Sequence, residues 1–252
     1  MAETVILIVD DLMFAPRLEK TLQAEGYQPI AATNQADLTR ALFTAPVLAI
    51  VDLFSRNFEW EPLVRSVKGP GKKAAHVPVI GFGPHVDLEL RERALAAGCE
   101  RVVGRSAIVE QLAHLLQKHK WVVDTNRCQE APPPLVQQGL ELFNQGKFYD
   151  CHEVIEDAWM AEKDPIRVMY QGILQIGVAC YHIQNRNWRG AIKVLERGVP
   201  KAARFAPTCM GINIAKLLQD SEAIRQELAR LGPAWEGEFN KRLFPTIEYY
   251  EN

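Results

Sequence analysis

The chain has 252 residues, 48% of them hydrophobic and 24% charged, with a formal charge of −2; this is the composition of a globular protein and not of a disordered one. Its 29 basic and 31 acidic side chains are spread evenly over both halves, which leaves no basic surface of the kind that neutralises phosphates, so no nucleic-acid partner is expected. The longest apolar-looking run, GILQIGVACYHI, is broken by Gln175 and too short to cross a bilayer, so no membrane partner is expected either.

The opening residues carry no cleavage signal, and the five cysteines are scattered with no C-x-x-C pair. That usage predicts a cytoplasmic protein without a disulfide framework. Over the first 120 residues, short apolar runs at 5–9, 28–32, 47–51, 77–82 and 101–103 read as strands. Helical patterns at 14–25, 34–43, 60–67, 86–97 and 106–119 alternate with them. Asn34 and Ser106 are candidate helix caps, and Gly26 and Gly98 candidate stops. Strands alternating with helices predict a five-stranded parallel sheet of flavodoxin-like type, with a site at the carboxyl ends of its strands.

Residues 121–134 end this rhythm, and the triple proline at 132–134 predicts a stiff spacer between domains at 1–120 and 135–252. Beyond it the strand signal disappears. Helical periodicity runs through 135–145, 148–161, 165–183, 188–197 and 213–231, which predicts an all-α bundle. Asp164-Pro165 reads as a helix start, and Gly146, Gly198 and Gly232 as stops. A weak repeat of forty residues aligns FNQGKF (143–148) with IQNRNW (183–188), the spelling of a helix, a tight turn and an aromatic-led second helix.

Asp10 and Asp11 follow the first strand and Asp52 ends the third. A doubly wound sheet delivers these three carboxylates to one crevice, a donor set suited to Mg²⁺, and a bound cation would let Asp52 accept a phosphoryl group. Across residues 4 to about 119 the chain resembles the receiver domain of two-component response regulators, on the segments ILIVDD, LAIVDL, VPVIGF and RVVGRSAI. The resemblance implies a phosphorylated Asp52 and a metal held by Asp10 and Asp11. It also exposes departures. Gly83 stands where the family has a Ser or Thr for the phosphate, Val102 where it has a switch aromatic, and Arg105-Ser106 where it has Lys-Pro. Arg105 can meet an anion, but its planar fork does not replace an ammonium. A degenerate receiver, poor as a switch, is the expectation, with a phosphorelay regulator as the alternative.

In YDCHEVIEDAW, residues 149–159, His152 and Glu156 share a helical face with Glu153 beside them. Gln171, Gln175 and His182 form a second stripe on the following helix. If the two helices pack antiparallel, these residues make a facing polar set. One reading is a metal-dependent hydrolase with His152 and Glu156 as ligands, Glu153 as base and His182 as a third ligand; the missing second His of H-E-x-x-H weakens it. The other is a hydrogen-bonded seam that sets the register of a helix pair. The blocks LFNQGKFYDCHEVIEDAW, YQGILQIGVACYH and NWRGAIKVLERG resemble an all-helical bacterial and archaeal family known only as a domain of unknown function, number three hundred and nine. That resemblance implies shared polar positions at His152, Glu153, Glu156, Gln171 and Gln175, with Trp159 and Gly190 as packing residues. The combined expectation is a non-enzymatic regulatory or interaction protein that binds a protein partner or a small ligand, with homodimerisation open to it and no cofactor beyond Mg²⁺.

Overall fold

A computed structural model describes residues 2–69, 74–84 and 87–250; His85, expected as an isolated surface histidine, lies outside the described residues. The five apolar runs form strands β1 (Thr4–Ile8), β2 (Gln28–Ala31), β3 (Leu48–Asp52), β4 (Val79–Gly83) and β5 (Arg101–Gly104). They pair in parallel in the order β2-β1-β3-β4-β5, the doubly wound flavodoxin-like arrangement. Alternate residues serve the two faces of the sheet. Ile6, Ile8, Ala49 and Val51 join one core cluster, and Val5, Leu7, Leu48 and Ile50 the other. Burial on both faces is why these strands read as continuous apolar runs.

Helices α1 (Ala15–Ala24), α2 (Gln35–Leu42), α3 (Trp60–Lys68), α4 (Leu88–Ala97), α5 (Arg105–Glu110) and α6 (Leu112–His119) cover the sheet. The Asn34 side chain accepts from the amides of Ala36 and Asp37 at 3.0 Å, the cap expected of it. Ser106 does not cap, because the helix starts two residues earlier than such a cap implies, at Arg105 with Gly104 in the cap position. Gly26 and Gly98 take φ of 83° and 117° just beyond α1 and α4.

The chain divides into two compact units, Met1–Val122 and Val123–Asn252. Trp121 belongs to the first, its amide bonded to Val47 O at 2.8 Å. Residues 123–134 belong to the second and are no free spacer: the amide of Met210 donates to Cys128 O at 2.7 Å, and Cys128 is joined to Cys209 by a disulfide. This corrects the expectation of a chain without disulfides. Spacing along the sequence excludes only local pairs, whereas folding brings together two cysteines 81 residues apart. Cys99, Cys151 and Cys180 are free and buried.

The second unit is built on α7 (Pro134–Asn144), α8 (Phe148–Ala161), α9 (Arg167–Gln184), α10 (Trp188–Ala203) and α11 (Ile214–Leu231). The weak repeat corresponds to two helical hairpins, α7–α8 and α9–α10. Their turns hold Gly146 and Arg186 at equivalent positions, with φ of 72° and 53°. Gly198 is not a stop but an interior residue of α10. A Cβ there would come within 2.9 Å of Gly172 O and 3.1 Å of Ile176 N, and one on Gly172 within 2.7 Å of Ala202 N. Backbone against backbone, this crossing has no room for a methyl group. Gly172→Ala is expected to lower stability by about 1–3 kcal/mol, read as a fall in the urea midpoint; an unchanged midpoint would refute the tight crossing.

Sequence reasoning found no strand in this unit, yet β6 (Thr208–Cys209) and β7 (Ile212–Asn213) form a small antiparallel hairpin. Met210 and Gly211, with φ of 52° and 70°, make its turn. The C-terminal segment is anchored, with Asn144 exchanging hydrogen bonds of 2.8 and 2.6 Å with Ile247. No helix among the described residues is long and apolar enough to cross a membrane.

Candidate functional site

Strands β1 and β3 are neighbours with Ile8 opposite Val51, so the residues that follow them emerge together at the carboxyl edge of the sheet. Asp10, Asp11 and Asp52 follow or end these strands, and the charges of Asp10 and Asp11 both act on the Asp52 carboxyl. Asp52 as a whole is 3% exposed. Burial pushes its carboxyl up, the Phe54 amide and the Arg105 charge pull the other way, and the negative charges of Asp10 and Asp11 add to the rise.

Asp11 is fully engaged. Its Oδ1 accepts the amides of Met13 and Phe14 at 2.9 Å, and its Oδ2 pairs with the Arg105 guanidinium. The two amides, then Arg105, hold it below the usual carboxylate range. Arg105 also lies over the Phe14 ring, 4.4 Å from its centroid. Asp10 Oδ2 is buried with no hydrogen-bond partner, an oxygen a cation would satisfy. A Mg²⁺ held by all three carboxylates would have to displace the Arg105 guanidinium from Asp11. Among the described residues no group of three His, Cys, Asp or Glu is placed to hold a metal ion.

Gly83 and Val102, the positions where the receiver resemblance implies departures, lie on β4 and β5. A Cβ on Gly83 would make only ordinary contacts, 3.5 Å from Leu53 and Leu90. A small side chain would fit there. Val102 packs against one core cluster, and its β-branched side chain has little χ1 freedom to exchange between positions.

In the second unit the expected facing set divides. His152 Nε2 and Glu156 Oε2 are 3.7 Å apart, with side chains 33% and 45% exposed. That is a loose pair open to solvent, beyond hydrogen-bond length. Glu153 points outward, and its charge and hydrogen bond push the Tyr149 hydroxyl up. Gln171, Gln175 and His182 do share a stripe of α9, but the contacts of that stripe are with α10. Gln175 Oε1 accepts from Lys201 Nζ at 3.2 Å. His182 Nδ1 lies 3.2 Å from Asn187 Nδ2, and a Cβ on Gly190 would meet its ring at 2.8 Å. Burial lowers the His182 pKa. Gln171 is partly exposed. No hydrogen bond among the described residues joins His152 or Glu156 to Gln171, Gln175 or His182. Trp159 is 4% exposed beneath Arg167, whose guanidinium is 5.3 Å from its ring.

Lys201 is the residue that sequence reasoning missed. It is 5% exposed, donates to Arg197 O at 2.8 Å as well as to Gln175, and is pulled down to about 7 by burial, with the Arg197 charge adding. The signal was present: Lys201 lies three residues beyond Gly198, beside the buried stripe of Ala191, Leu195, Gly198 and Ala202.

Comparison with known proteins matches these two units separately. The family described as Domain of unknown function (DUF309) matches residues 136–194, the α7–α9 helices and the start of α10. An uncharacterized protein of Bacillus subtilis, YpuF, is 25% identical over 84 residues, 32% of this chain and 48% of that protein. An uncharacterized protein of Aquifex aeolicus is 23% identical over 84 residues, 33% of this chain and 25% of its own length. The chain therefore spans about half or less of the curated relatives it matches. Among solved structures, the chemotaxis protein CheY4 of Vibrio cholerae is 18% identical, covering 47% of this chain and 99% of its own, with a TM-score of 0.42. The signal receiver domain of a DNA-binding response regulator from Colwellia psychrerythraea is 21% identical, covering 46% and 98%, with a TM-score of 0.39. The chain joins a flavodoxin-like unit with a five-stranded parallel sheet to a helical region that matches the DUF309 family at residues 136–194.

Proposed function

We propose that this is a regulatory or interaction protein in which an atypical receiver-like unit, deficient as a phosphorylation switch, is joined to a helical unit that binds a protein partner or a small ligand. The observation that carries the reading is the Arg105–Asp11 ion pair. It neutralises one of the two acids that would otherwise draw a cation towards Asp52. With Gly83 offering no hydroxyl and Val102 no mobile aromatic, phosphate on Asp52 would find no two-state element to bias. The first unit then serves as a fixed platform for docking or dimerisation. A cytoplasmic setting for that role, expected from the cysteine scatter, has the Cys128–Cys209 disulfide to set against it.

The test is exposure of the full chain to acetyl phosphate with Mg²⁺. The expected result is an intact mass without a phosphoryl adduct and unchanged emission from Trp60, which lines the neighbouring α3. An adduct that Asp52→Asn abolishes, with an emission change that Trp60→Phe removes, would instead make the protein a working phosphorelay regulator. We prefer this reading to the hydrolase alternative because His182 contacts Asn187 and Gly190, and no hydrogen bond among the described residues ties it to His152 or Glu156.

A further inference from the structure

The helical unit holds a cavity of about 590 Å³ between the end of α9 and the C-terminal segment, a size usual for small-molecule sites. Its apolar lining is Ile183, Trp235, Phe239 and Phe244. The rings are held from behind: Phe239 and Phe244 are 5.2 Å apart, and Phe244 lies 5.3 Å from Phe148, a buried side chain of α8. The segment carrying them is fixed by Arg230, which donates to Glu238 O at 3.2 Å, and by the amide of Asn240, which donates to Glu227 at 3.2 Å. At the rim stand two exposed cations, Arg186 and Lys241. Neither makes an ion pair among the described residues, and Glu238 is the one acid in the lining.

Two lining residues have left-handed backbones, Arg186 at φ 53° and Trp235 at φ 55°. Neither residue type adopts that region readily, and such strain gathers at ligand sites. The internal repeat makes Arg186 the more telling of the two. In the first helical hairpin the equivalent position is Gly146, at φ 72° with nothing within 4 Å of a Cβ, and glycine adopts this conformation without cost. The second hairpin makes the same turn with an arginine whose side chain borders the cavity.

We infer that this aromatic-floored cavity binds a small organic anion, a carboxylate or phosphate borne on a flat apolar body, with Trp235, Phe239 and Phe244 holding the body and Arg186 and Lys241 the charge. The pairing of guanidinium and ammonium with an oxyanion, over rings that stack on a flat body, makes this the occupant the charges favour. The inference rests on reading the helical unit as a binding module and gives that module a ligand class; it does not depend on the receiver-like unit.

The probe is 1-anilinonaphthalene-8-sulfonate, titrated into the full chain by fluorescence beside its neutral relative N-phenyl-1-naphthylamine. One saturable site is expected for the anion, weakened about tenfold or more by the double variant Arg186→Glu/Lys241→Glu, with the neutral dye weaker and indifferent to that change. Arg186→Gly separates a ligand role from a structural one: it is expected to raise the melting temperature, by relieving the turn, while weakening the anion. Anion binding that ignores the charge reversal, or a neutral dye that binds as tightly, would overturn the cavity assignment and leave the module a binder elsewhere. No saturable binding of either dye would overturn the cavity assignment and remove support from the small-ligand reading with it.

Discussion

Cys128→Ser is expected to destabilise the helical unit by about 4 kcal/mol, with the same loss when dithiothreitol is added to the unaltered chain. The bond closes a loop of 81 residues that contains α7 to α10. In the chain-entropy account, closing a loop of that length in the unfolded state is worth about 4–5 kcal/mol. The native ends are held independently of the bond: Cys209 is fully buried, the Met210 amide bonds Cys128 O, and Ile212 bridges to Tyr249. Little native structure should therefore change when the bond is lost, and most of the loss falls through the unfolded chain. Urea unfolding of the full chain should show the helical transition moved and the receiver-like transition unmoved. Thiol titration of the denatured, unreduced protein should find three groups, those of Cys99, Cys151 and Cys180. Five reactive thiols, or a midpoint indifferent to reductant, would contradict the bond.

The second large effect belongs to Lys201. A lysine titrates near 10.5 in an unfolded chain, and burial brings this one down to about 7 in the fold. With the folded value depressed, the unfolded chain binds the extra proton throughout that window, so stability rises with pH. The contribution is fully present above about 10.5 and is lost as pH falls through about 7. Between pH 7 and 9.5 the unaltered chain should gain about 3 kcal/mol relative to Lys201→Met. The comparison between the two chains removes the titration of every other group. A difference that stays flat over that range would mean that the Lys201 ammonium is solvated, and that its contact with Gln175 is not a buried one.

Much of the first unit was legible because its strands are buried on both faces and its helix ends carry local chemistry: Asn34 caps, and Gly26 and Gly98 turn. The crevice acids followed from strand order alone. What was not legible depends on partners distant in sequence. Gly198 reads as a stop because a glycine marks either a helix end or a close crossing, and only the opposing Gly172 decides between them. Gln175 and His182 of the α9 stripe find partners on or beside α10, Lys201 for one and Asn187 and Gly190 for the other, a choice no spacing reveals. Lys201 was passed over because lysine is nearly always a surface residue. Arg105 was noted as an anion partner, yet spacing does not say which acid it meets, and its pairing with Asp11 is a contact between residues 94 apart.

The segment 123–134 has a consequence for inheritance as well as for structure. Whatever process exchanges such halves between proteins, the transferable helical cassette starts at Val123 and not at the prolines. A splice made at residue 134 would separate Cys209 from its mate and deprive the Met210 amide of its acceptor, leaving the hairpin that receives the C-terminal segment without its foundation. Recombination partners joined upstream of that point would carry a self-sufficient fold, and those joined downstream of it would not.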